Sequence, residues 1–118
     1  MFNRTAYIAT ITNNIHSVIE YASGYDYSRN GDNLDMGVCK MLMKALNAAL
    51  QELISQNGLL FDGVESRYPT IRAAEMLEII SYQVIARYNC GENVSSTLKN
   101  EAQDAYDWAE FVLETLYA

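Results

Sequence analysis

The sequence predicts an all-α fold, a small four-helix bundle with a short β-hairpin or extended loop between its second and third helices. Three observations carry that prediction. Apolar residues recur at spacings of three and four along most of the chain, the repeat of a helix rather than the alternation of a strand. The repeat breaks at Ser23-Gly24, at Gly58 and at Asn89-Cys90-Gly91, where glycine and small polar residues supply stop signals. The only proline, Pro69, heads the most apolar stretch, where a first-turn position tolerates its missing N–H. At 118 residues, 50% hydrophobic and 19% charged, the chain suits one globular domain over residues 1–118 and not a disordered polymer.

The first helix is expected from about Arg4 to Ala22, with Ile8, Ile11, Ile15, Val18, Ile19 and Ala22 on one face. The polar run SGYDYSRNGDN then reads as a surface loop. It holds Tyr25, Tyr27 and Arg29, side-chain types that interfaces favour, and is a secondary contact candidate. The single histidine, His16, stands at the polar–apolar boundary of this helix with no nucleophile or acid motif beside it.

Asp32 or Asn33 is placed to cap a second helix, which runs to about Asn57 before Gly58. Cys39, Leu42, Leu46, Ala49, Leu50 and Leu53 form its inward stripe; Lys40, Lys44, Asn47, Gln51 and Glu52 take the wetter side. Met36, Met41 and Met43 read as core filler, since methionine adapts to irregular gaps. The following LLFDGVESRY combines a short apolar run with an Asp-Gly turn signal, the pattern of a hairpin or extended loop. Phe61 within it is a further interface candidate.

Pro69 to Tyr88 is the expected central helix. Ile71, Ala74, Leu77, Ile80, Ser81, Val84 and Tyr88 form one face, and Met76, Ile79, Tyr82, Ile85 and Ala86 spread over the rest. A helix apolar nearly all round must be covered on several sides. After the Asn89-Cys90-Gly91 break, Ser95 or Ser96 is placed to cap a last helix. Leu98, Ala102, Ala105, Ala109, Val112 and Leu116 make its seam. Tyr106, Trp108, Phe111, Leu113 and Tyr117 widen that seam beyond what a terminal helix needs. Trp108, Phe111 and Tyr117 are therefore the main protein-interface candidates.

Composition narrows the function classes. The net charge is −7 and the eight basic residues form no cluster, which argues against nucleic-acid binding. Cys39 and Cys90 form no CxxC pair and stand near no histidine cluster, so neither a metal nor a redox site is expected. Phosphate-binding glycine loops, nucleophile elbows, HExxH pairs and EF-hand loops are absent from the sequence. No catalytic residue, cofactor or metal is expected, and binding or assembly is the better class. Apolar runs are broken by charge too often to span a bilayer, and the N-terminal MFNRTAYIATI carries no secretory signature, so a cytosolic setting is expected.

Read in order, the chain resembles the head-to-tail connector, or adaptor, proteins of tailed bacteriophages, especially short-tailed ones. The likeness lies in ALNAALQELISQNGLL at residues 45–60, in Ile79 to Tyr88 with its IARY ending, and in the closing helix from Ser96 to Leu116. It implies a non-enzymatic virion protein at the head–tail junction, assembled in the host cytoplasm as a homo-oligomeric ring between portal protein and tail components. DNA would pass through without specific binding, in keeping with the acidic balance. Chains of that family commonly extend beyond the last helix, whereas this sequence stops at Ala118. The second reading is a small acidic inhibitor that mimics DNA and blocks a host DNA-binding protein. It is disfavoured because the 15 acids are scattered along the chain, several near a Lys or Arg, as Glu65 is near Arg67 and Glu75 near Arg72.

Overall fold

In the computed structural model, three full helices follow one another among the described residues: α1 (Met36–Asn57), α2 (Arg67–Asn89) and α3 (Ser96–Tyr117). The structure describes Ser17, residues 36–57 and residues 67–117; Ser17 is helical and exposed. α2 packs along both of the others, while α1 and α3 meet at few points. The middle helix in sequence is thus also the middle one in space.

Local chemistry sets the helix ends. At the close of α2, Gly91 takes φ +80°, the left-handed conformation glycine reaches without a Cβ clash. That turn lets the Glu92 N–H reach the Arg87 carbonyl at 3.1 Å and the Gly91 N–H reach the Tyr88 carbonyl at 3.0 Å. Both are carbonyls that a helix C-terminus leaves open, and the paired bonds form a Schellman motif. Arg87 also bridges to Glu92 at 3.6 Å. At the start of α3, the Leu98 N–H donates to the Ser95 Oγ at 3.1 Å, and the Lys99 N–H to the Ser95 carbonyl at 3.0 Å. Of the two serines, Ser95 is the cap. The short link between these ends lays α3 antiparallel against α2.

The core is built from one stripe of each helix. α1 contributes Cys39, Leu42, Met43, Leu46, Leu50 and Leu53; α3 contributes Leu98, Ala102, Ala109, Val112 and Leu116. α2 contributes the most: Ala73, Ala74, Met76, Leu77, Ile80 and Val84, with Thr70 and Ser81 also buried. The Ser81 hydroxyl donates to the Leu77 carbonyl at 2.6 Å, so this polar group enters the core already satisfied.

Several expectations require correction. Among the described residues, the expected four-helix bundle with a β-hairpin is replaced by three full helices and no strand. The physical reason is that, among the described residues, α2 packs along both neighbours and the buried stripes of all three helices belong to one core. α2 also begins at Arg67, taking Arg67 and Tyr68 from the segment read as a hairpin. Pro69 therefore stands third in the helix, still among the N–H positions that lack an intrahelical acceptor. The helix expected over residues 4–22, Ser17 apart, and the rest of that hairpin segment lie outside the described residues. α2 is not covered all round: Ile79 is 43% exposed, Tyr82 56% and Tyr88 37%. Nor do all three methionines fill the core, because Met43 is buried while Met41 is 56% exposed.

Candidate interaction surfaces

Because α1 and α3 flank α2 without closing on each other, a groove of about 640 Å³ runs between them. Lys40, Lys44, Asn47 and Gln51 line it from α1, and Glu101, Asp104 and Trp108 from α3; Met43 and Ala105 complete the lining. Among the described residues no ion pair crosses it: the ion pairs found are Arg72–Glu75 and Arg87–Glu92. Trp108 is only partly exposed, and its Nε1 is buried with no acceptor among the described residues. A buried donor left unpaired costs about 1–3 kcal/mol, and such a group points to a site whose contacts are incomplete. Phe111 stacks on Trp108 with ring centroids 5.9 Å apart and an interplanar angle of 22°, yet Phe111 remains 50% exposed.

A second surface lies along the opposite seam, between α2 and α3. Tyr82 and Tyr106 meet there with centroids 6.4 Å apart, tilted by 41°. Glu78, four residues before Tyr82, and Glu110, four after Tyr106, bring two carboxyl groups to the same seam. Burial, the hydrogen bond with Glu110 and the negative charges of Glu110 and Glu75 raise the Glu78 carboxyl above its usual range. Interaction of the Tyr106 hydroxyl with Glu110 is the main cause that raises it above its usual value. Further along, the Lys99 ammonium lies 5.7 Å from the Tyr88 ring centroid, within cation–π range.

Of the interface candidates read from sequence, Trp108 and Phe111 are brought together at the groove. Tyr117 is the last residue of α3, and its side chain lies outside the described set. Tyr25, Tyr27, Arg29 and Phe61 also lie outside it. Sequence reasoning missed the groove's basic wall and the carboxyl–tyrosine seam. Spacing held a signal for each: Lys40 and Lys44, Glu78 and Tyr82, and Tyr106 and Glu110 are all four apart, the spacing that shares a helix face. Among the described residues, no group of three His, Cys, Asp or Glu is placed to hold a metal ion, and no described helix is long and apolar enough to cross a membrane. Cys39 is buried and Cys90 exposed, and neither is in a disulfide. No family model, curated protein or solved structure matches this chain.

Proposed function

We propose that this chain is a non-catalytic assembly subunit that forms a homo-oligomeric ring, and that the ring is a head-to-tail connector joining the portal of a phage head to its tail. One observation carries the assembly reading: Phe111 stacks on Trp108 at the groove yet is half exposed. Aromatic side chains left out beside an unfilled groove, with a buried indole N–H lacking its acceptor, are what a protein partner is suited to cover. The connector reading comes from the ALNAALQELISQNGLL and IARY stretches. A net charge of −7 supports it further, because an acidic lining lets DNA pass without adhering.

The test is the mass of the purified chain, alone and mixed with portal protein, by sedimentation velocity and negative-stain electron microscopy. Closed rings, free or seated on the portal, are expected. A chain that stays monomeric over the accessible concentration range and leaves the portal bare overturns the reading.

A further inference from the structure

The two bare surfaces lie on opposite flanks of α3. Asp104 and Tyr106 are two residues apart, as are Trp108 and Glu110, and at 3.6 residues per turn each such step is about 200° around the helix. The flanks are complementary in charge. On one, Lys40 and Lys44 are exposed on the far wall of the groove and make no ion pair among the described residues. On the other, Glu78 and Glu110 each stand one helical turn from the Tyr82–Tyr106 contact, again with no ion pair to a cation among the described residues. Each flank also carries bare apolar side chains. Phe111 (50% exposed) stacks on the groove's Trp108, while Ile79 (43%) and Tyr82 (56%) accompany the carboxyls.

We propose that these flanks are the two halves of one heterologous contact, in which the Glu78–Glu110–Tyr82 face of one copy seats on the Lys40–Lys44 wall beside Phe111 of the next. The occupant of the groove is therefore a second copy of this chain. The inference deepens the ring reading above and rests on it. A contact between two different faces repeats head to tail, and it closes into a ring when the rotation per step divides the circle. Glu101 and Asp104 on the near wall repel incoming carboxylates and steer them to the α1 side, which sets the register of the contact.

Charge exchange tests this arrangement. The double variants K40E/K44E and E78K/E110K, their equimolar mixture and the quadruple variant carrying all four changes are compared with the wild type. Sedimentation velocity is run at low ionic strength, where surface charge is least screened. Each double variant is expected to self-associate at least about tenfold more weakly than the wild type. The mixture and the quadruple variant are expected to recover association, because each again presents opposite charges across every contact. Loss in K40E/K44E alone, with E78K/E110K unaffected, would mean groove-on-groove dimers and overturns the proposal. Undiminished association of both double variants overturns it as well, but leaves the ring reading standing. A wild-type chain that never associates removes both. Thermal melts by circular dichroism establish that each variant folds; where a reversal does not, the neutral pairs K40Q/K44Q and E78Q/E110Q replace it, with the same sign of effect expected.

Discussion

Trp108 and Phe111 stack at 5.9 Å on one flank of α3, yet only Trp108 is sheltered by the fold; Phe111 stays half exposed. Stacking therefore holds the outer ring in place without burying it. Aromatic pairs of this kind contribute about 0.5–1.5 kcal/mol beyond their area.

Phe111→Ala is accordingly expected to lower the thermal midpoint slightly and to weaken self-association or portal binding much more. Sedimentation and thermal unfolding on the same variant measure both. Normal assembly by Phe111→Ala would remove Phe111 from the interface, and a large loss of stability would place it in the core.

Ile80 shows the opposite case. It is fully buried near the middle of α2, in the core to which all three described helices contribute. Ile80→Ala leaves a cavity that close-packed neighbours fill only in part, and is expected to cost about 2–5 kcal/mol. Urea unfolding of the variant checks the figure. A loss well under about 1 kcal/mol would contradict the central placement of α2.

The caps of α3 separate two neighbouring serines. Ser95→Ala removes the acceptor for the Leu98 N–H and is expected to cost about 0.5–2 kcal/mol. Ser96→Ala, one position into the helix, is expected to be nearly neutral. Equal losses in the two variants, measured by thermal melts, would contradict Ser95 as the cap.

Glu78 gives a pH dependence of defined sign. Its carboxyl binds a proton more tightly in the folded chain than at its ordinary value of 4.5, chiefly because burial penalises the charge and Glu110 stands beside it. Between 4.5 and that raised value the folded state carries more protons than the unfolded one. The stabilising contribution is present below about pH 4.5 and is lost as pH rises through the raised value. Glu78→Gln is expected to flatten this fall and to stabilise the protein at neutral pH relative to the wild type. Unfolding free energies measured from pH 4 to 8 on both proteins decide it; a wild type that gains stability relative to the variant across that window contradicts the arrangement.

Much of the fold was legible in the chain because its signals are local. The C-terminal end of α1 at Asn57, the cap at Ser95 and the break around Gly91 each depend on residues a few positions apart, which share one stretch of backbone. The buried stripes of α1 and α3 follow from the 3.6-residue period alone, and all but the partly buried Ala49 and Ala105 of their expected members are buried. Where no such signal exists, the reading went astray. Apolar periodicity states how wide a stripe is, not how many neighbours cover it, so a bare Ile79 and Tyr82 looked the same as a buried Leu77 and Ile80.

By itself, then, the sequence determined the three described helices with their stripes and stops, and the aromatic surplus of α3. Only the tertiary structure decided that α2 packs along both of the others, that a groove opens between α1 and α3, and that Glu78 and Glu110 share the Tyr82–Tyr106 seam. The physical reason is distance along the chain. Helix caps and periodic faces are properties of neighbouring residues, whereas a groove wall or a carboxyl pair is made by residues of different helices, whose meeting depends on how whole helices pack.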